Sequence, residues 1–299
     1  MLRRSFIQNT ALSFGALTFA QQNLFSSYFE DPWKITMLRS DVGIFTERGG
    51  TIAFLITKKG IAIVDSQFEE QSKHLITELQ KRSSKPFELL INTHHHGDHT
   101  SGNIAFKGRV AHVVAHANSL KNQWTSSVAN KTHDKQLYPD QTYTDTWDQK
   151  VGKEKISLSW HGAAHTNGDS FVHFEDANIV HMGDLVFNRR HPYVDRAAGA
   201  NIKSWITVLD KALNKFDSKT IFIFGHSAAG YEITGNMDDL KKFSDYLGKV
   251  LQFTEAEIKS GKTKEEVLKA KAIPGADEWK GDGIERPLGA AYDELTAKV

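Results

Sequence analysis

His94-His95-His96-Gly97-Asp98-His99 places four metal-binding side chains within six residues, in the pattern His-x-His-x-Asp-His. Imidazole nitrogen and carboxylate oxygen are the donors that zinc and its neighbours in the periodic table take. The apolar run Phe87 to Ile91 precedes the stretch and reads as a buried strand. The small residues Thr100, Ser101, Gly102 and Asn103 follow and read as a turn into a helix. In extended chain, residues two apart face the same side, so His94 and His96 can reach one metal together. Gly97 lets the backbone bend, which turns Asp98 and His99 toward a second metal. The chain has 14 His, and four of them fall between positions 94 and 99. A purification tag does not account for this, because tags sit at termini and lack the embedded Asp.

Further donors stand where later strand-like runs meet loops. His165 follows the alternating run Lys155 to Trp160, Asp184 follows Ile179-Val180-His181-Met182-Gly183, and His226 follows Ile221-Phe222-Ile223-Phe224-Gly225. Ligands at strand ends are held by a rigid frame yet stay open to substrate. The remaining histidines read as structural. His173 and His181 alternate with apolar residues in a hairpin, Ser170 to Met182. His74, His112, His116, His133 and His161 have no second donor at ligand spacing, and His95 sits between two donors and should point away from them.

In order and spacing this set resembles the metallo-β-lactamase-fold superfamily, over residues 35–230. The resemblance implies an α+β fold, a four-layer αβ/βα sandwich. It implies that His94, His96 and His165 bind a first metal, that Asp98, His99 and His226 bind a second, and that Asp184 bridges them. Asp65, in Ile61-Ala62-Ile63-Val64-Asp65-Ser66, matches an aspartate that supports the ligand loop without touching metal. Metal-binding imidazoles need such partners to fix their tautomer. The implied cofactors are two zinc ions, with iron or manganese as alternatives. The implied activity is that of a dinuclear zinc-dependent hydrolase, in which a hydroxide bridging the metals attacks a small ester, thioester, lactone or β-lactam. Asp98 and Asp184 are its catalytic carboxylates, Asp98 also taking a proton from the shared water. The alternative is an iron-dependent oxidoreductase of the same fold, similar to persulfide dioxygenases, since imidazole and carboxylate also suit iron. The complete second-metal set argues against it. One departure matters: the zinc β-lactamases resembled here carry Cys or Ser where this chain has Asp184, whereas glyoxalase II, lactonase and general hydrolase branches carry Asp.

Composition narrows the classes further. Of 299 residues, 39% are hydrophobic and 24% charged, as in an ordinary globular protein. A formal net charge of +1 gives no electrostatic case for nucleic acid or an anionic membrane, and no basic stripe supports a nuclease. The absence of Cys removes thiolate from the ligand list and excludes a cysteine nucleophile. The expected partner is a small-molecule substrate. Intact ligands at every expected position argue against a non-catalytic binding protein.

The expected organisation is a signal segment at 1–20, a catalytic domain at 30–235 and a helical extension at 236–299 packed on the same domain. Arg3-Arg4-Ser5-Phe6-Ile7 resembles a twin-arginine export signal, and Ala11 to Ala20 is apolar but too short for a mature membrane anchor. The expected location is therefore periplasmic or secreted, with an ordinary secretory signal or an uncleaved anchor as alternatives. Strands are expected over residues 35–38, 51–56, 61–64, 87–91, 109–114, 155–182 and 220–224, and helices over 69–82, 203–216 and 240–259. The tail is expected to pack against the sandwich, with a sharper possibility that it shapes the substrate mouth. The loop Phe187 to Asp195 should overhang the metals. In it Arg189, Arg190 and Tyr193 are candidate substrate contacts, as is Asn167 beside His165. Trp124 and Trp147 are candidates to line the mouth, with core packing as the equal alternative.

Overall fold

A computed structural model describes residues 32–297. The export segment expected at 1–20 lies outside the described residues. Seven strands build the first sheet in chain order: β1 (Lys34–Arg39), β2 (Val42–Thr46), β3 (Ile52–Ile56), β4 (Ile61–Val64), β5 (Phe87–Asn92), β6 (Val110–His116) and β7 (Gln141–Tyr143). Strands β2 to β4 pair antiparallel, whereas β4 to β7 run parallel. Parallel pairing brings the carboxyl ends of β4 and β5 side by side. Asp65 and the stretch beginning at Thr93 leave the sheet at that shared edge.

The second sheet begins with an antiparallel meander of β8 (Thr146–Val151), β9 (Glu154–Trp160), β10 (Ser170–Phe174) and β11 (Ile179–His181). The short β12 (Phe187–Asn188) leaves it to pair in parallel with β14 (His226–Ser227). Between them in sequence, β13 (Ile221–Ile223) returns parallel to β11, and β15 (Thr234–Gly235) closes that edge. The parallel pair β11/β13 again aligns two carboxyl ends, from which Asp184 and His226 emerge.

Inward-facing residues of the two sheets share one core. Val42, Ala53, Leu55, Val64, Leu89 and Ile91 pack with Ile156, Leu158, Val172, Phe174, Ile179 and Ile223. Ile52 and Phe54 alternate with Ala53 and Leu55 and are buried on the opposite face. The helix expected over 69–82 forms with those bounds as α1 (Glu69–Arg82), burying Leu75, Ile76 and Leu79. A short α2 (Gly97–Thr100) follows the β5 loop, then α3 (Ala117–Ala129).

On the far side of the second sheet lie α4 (Ile202–Lys215), α5 (Met237–Lys259), α6 (Lys264–Val267) and α7 (Glu285–Thr296). Trp205, Leu209, Phe243, Tyr246, Val267 and Leu288 from these helices join Phe171, Val180 and Phe222 in a second core. The result is the helix–sheet–sheet–helix sandwich, with the C-terminal helices forming part of its outer layer. No helix among the described residues is long and apolar enough to cross a membrane.

Helix α3 has no counterpart in the apolar periodicity. Its buried residues are Ser119, Gln123 and Ser127, while Trp124 and Val128 are 50% and 53% exposed. Its start is fixed by the His116 side chain, which accepts a hydrogen bond from the Asn118 N–H.

Candidate metal centre

Seven side chains meet at one edge of the sandwich, four from the segment after β5 and one each from the stretches after β9, β11 and β13. His94 Nε2 lies 3.1 Å from His96 Nδ1, and His165 Nε2 lies 2.9 Å from the same atom. Asp184 Oδ2 is 3.4 Å from His165 Nε2 and 3.9 Å from His94 Nε2. Its other oxygen, Oδ1, is 3.1 Å from His99 Nε2 and 3.4 Å from His226 Nε2. Asp98 Oδ2 stands 3.1 Å from His226 Nε2 and 3.8 Å from His99 Nε2. The side chains therefore sort into a set of His94, His96, His165 and Asp184 and a set of Asp98, His99 and His226, with Asp184 facing both.

Outward hydrogen bonds assign the imidazole tautomers. His99 Nδ1 donates to Asp65 Oδ2 at 2.7 Å, and His96 Nε2 donates to Asp195 Oδ2 at 2.9 Å. His165 Nδ1 donates to the Tyr193 carbonyl at 2.9 Å, and His94 Nδ1 to Thr93 Oγ1 at 3.0 Å. Thr93 passes its own proton to Asp65 Oδ2, 2.7 Å away, and its N–H bonds Oδ1 of the same carboxylate. Each of the four rings thus uses its proton outside and turns a lone pair inward. Lone pairs crowded about 3 Å apart repel one another unless a cation sits among them. His99 Nε2 and Asp184 Oδ1 are buried and face each other 3.1 Å apart, with no other hydrogen-bond partner. A divalent cation fits this donor set, because it gives both inward-facing atoms a partner while the His99 proton stays directed at Asp65.

The electrostatics agree. Burial holds His94 well below the ordinary histidine range and takes His165 down to about 3, which keeps both neutral. Burial pushes Asp98 up, but the His99 and His226 imidazoles outweigh it and bring its carboxyl to about 2. Burial likewise opposes ionisation of Asp184, yet His226, His99 and His165 hold it well below the usual carboxylate range. Burial alone would lower His99, but Asp184, Asp65 and Asp98 raise it far above its ordinary value. The site demands positive charge at that ring, and a bound cation answers the demand without the proton.

Local backbone geometry is adapted to these positions. Asp65 adopts φ +64°, a left-handed conformation that costs a non-glycine residue about 1–2 kcal/mol. Its hydrogen bonds to Thr93 and His99 hold it there. Gly183 (φ +52°) makes the turn into Asp184, and a Cβ at Gly225 would stand 2.0 Å from Asp184 Oδ1. The Asp184 turn is pinned from below by Trp205 Nε1, which donates to the Leu185 carbonyl at 3.0 Å, and by His181, which accepts from the Gly183 N–H. Asp169 binds the N–H and hydroxyl of Thr166 and so fixes the turn carrying His165; burial raises it to about 6.

Above the cluster opens a cavity of ≈ 340 Å³ whose walls include Phe187, Arg190, His191, Tyr193 and Arg286. Arg190 and Tyr193 stand where the sequence places them, at the mouth. Arg189 does not. The residue is 4% exposed, its guanidinium bonded to Asn188 Oδ1 at 2.6 Å and Asp239 Oδ1 at 2.8 Å, and paired with Glu278 at 3.3 Å. It ties the loop to the C-terminal layer and is not part of this cavity's wall. Asn167 is also not in the wall: its side chain accepts from Asn122 and its carbonyl from Asn118 and Trp160. Trp124 lies on the outer side of α3 beside Tyr138 and His133, and Trp147 packs against the inter-sheet core.

Asp195, Asp169 and Thr93 were not singled out from sequence. Asp195 closes the loop after Asp184, and Thr93 directly precedes His94, so adjacency to ligands was the signal available for both. Arg286 lies sixty residues past the last ligand, and nothing local marks it.

The sequence matches the family profile described as "Metallo-beta-lactamase superfamily" over residues 46–226, more than half of the chain. The chain belongs to that superfamily and is a hydrolase of its metal-dependent kind. It is 27% identical over 206 residues to a metallo-beta-lactamase type 2 from Bacillus sp. (strain 170), covering 66% of this chain and 77% of the relative. In structure it is similar to a metallo-beta-lactamase from Pontibacter korlensis, with TM-score 0.60, 20% identity, and coverage of 72% of this chain and 99% of that one. It is also similar to a stereoselective inverting sec-alkylsulfatase from Pseudomonas sp., with TM-score 0.70 and 14% identity over 88% of this chain. The matched region spans half of the sulfatase's length.

Proposed function

We propose that the protein is an exported dinuclear zinc hydrolase acting on a small ester, thioester, lactone or β-lactam. His94, His96 and His165 hold the first metal, Asp98, His99 and His226 the second, and Asp184 both. The observation that carries this reading is the division of the Asp184 carboxylate between two donor sets, Oδ2 toward His94 and His165 and Oδ1 toward His99 and His226. Bound divalent ions supply Lewis acidity and lower the pKa of water toward neutrality.

The chain's own residues do the rest. Asp65 and Thr93 lock the rings of His99 and His94, and Asp195 locks that of His96, so little reorganisation accompanies reaction. Asp98 is partly open to the cavity and ionised, so it can accept a proton from attacking water. Phe187 packs on the His165 and His226 rings and Tyr193 on that of His96, so the two cover one side of the cluster. Asp184, in place of the Cys or Ser of the zinc β-lactamases that the chain resembles, favours the broader hydrolase branches over a dedicated β-lactamase. The run of residues 1–20 supports export.

The test is metal analysis beside a hydrolysis panel of esters, thioesters, lactones and β-lactams. About two zinc ions per chain and cleavage of one of these classes are expected. Iron as the tightly held metal, with oxygen consumption, would replace this reading with the oxidoreductase one.

A further inference from the structure

The two arginines at the cavity mouth come from different parts of the fold. Arg190 extends from the loop after Asp184, and Arg286 from the first turn of α7, in the C-terminal layer. Both line the same cavity as Asp98, Asp184 and His226. Neither charge is neutralised in the way a structural arginine is. Arg190 has no hydrogen-bond or ion-pair partner among the described residues. Arg286 has one loose neighbour, Glu285, at 3.9 Å, with both side chains about half exposed. Arg189 is the internal contrast, since it is one residue away and buried against Asp239 and Glu278. Its left-handed backbone (φ +56°) and its ion pairs set the direction in which Arg190 leaves the loop.

Guanidinium groups match oxyanions in geometry as well as charge, and two of them in a half-enclosed cavity act where the dielectric is below that of water. The carboxylates near the cavity do not cancel them. Asp98 and Asp184 face the metal sets, and Asp195 is bonded to His96. We propose that Arg190 and Arg286 form an oxyanion-binding subsite, so that the substrate is a small compound bearing a carboxylate, sulfate or phosphate group apart from its scissile bond. The proposal rests on the hydrolase reading above. It makes Arg286 a specificity-determining residue and gives the C-terminal helices a part in substrate choice.

The test pairs 4-nitrophenyl hydrogen glutarate with its neutral methyl ester on the full chain loaded with zinc. The wild type should prefer the anionic ester by about tenfold or more in kcat/KM, the loss expected for a pair of charge-assisted hydrogen bonds. In Arg190→Ala, Arg286→Ala and Arg286→Glu that preference should disappear through KM, the anionic ester losing far more than the neutral one and the zinc content holding. Arg286→Lys should retain part of it. Independently of turnover, calorimetric titration of glutarate and of inorganic phosphate into the as-purified protein should show weaker binding to the variants, and weaker binding to wild type at high salt. The ratio of the two ligands ranks carboxylate against phosphoryl chemistry. Equal use of both esters by the wild type, or equal loss of both in the variants, overturns the subsite. If neither ester is cleaved, the hydrolase reading fails for this class while the titrations still decide the subsite, which unchanged binding by the variants would refute.

Discussion

The floor and the rim of the cavity are built in opposite ways. At the floor, His94, His99, His165 and Asp184 are buried, and four rings are each tied to a fixed acceptor through the nitrogen that does not face the centre. At the rim, Arg190, Tyr193 and Arg286 are exposed, and the two arginines are nearly free of internal partners. The floor fixes geometry before any ligand arrives, as reaction chemistry requires. The rim leaves charge available, as selection among substrates requires. Substitutions at the floor should therefore change metal content and turnover together, whereas those at the rim should change KM alone.

The largest effect is expected at Asp184. Asp184→Ala removes the one carboxylate that faces both donor sets, and activity should fall more than about 100-fold, beyond what losing an outer partner of a ligand costs. Zinc stoichiometry by mass spectrometry should fall with it, and normal metal content with full activity would erase the distinction between floor and rim. Next is Asp65→Asn, which keeps the shape but weakens the anchor of His99 and Thr93. Zinc affinity, read by chelator competition, should drop about 10–100-fold. Asp195→Asn loosens His96 alone among the seven candidate ligands, so a smaller drop in affinity is expected, at the low end of that range. A larger loss than at Asp65 would reverse the order of importance of the two anchors. The smallest effect is expected far from both regions, at Trp124→Ser. That ring is half exposed on α3, so thermal unfolding should shift by no more than about 0.5 kcal/mol, with kcat and KM unchanged.

The same contrast separates what sequence reveals from what it hides. Floor residues are legible because each sits where an apolar run meets a loop. The parallel pairs β4/β5 and β11/β13 then bring those run ends together without further information. Helix α1 is legible for a similar reason, its apolar residues recurring on one side. Helix α3 is hidden because its buried side is Ser119, Gln123 and Ser127 while its apolar residues face outward, which inverts the usual pattern. The rim is only partly legible: the loop points to Arg190 and Tyr193, but adjacent arginines look alike in sequence. Arg189 and Arg190 differ only in what tertiary structure places beside them: Asp239 and Glu278 for one, open cavity for the other. Arg286 reaches the mouth through packing of the C-terminal helices, a long-range outcome with no local motif. The sharper expectation for the tail agrees with Arg286 in the cavity wall.

Anomalous X-ray scattering at the zinc edge, on crystals of the zinc-loaded chain, tests the central claim most directly. The account predicts two peaks about 3.5–4 Å apart, as in two-metal hydrolases. One should lie among His94, His96 and His165, the other among Asp98, His99 and His226, with Asp184 in contact with both. An active protein with no anomalous peak among these side chains, or with its metal bound elsewhere, would contradict it.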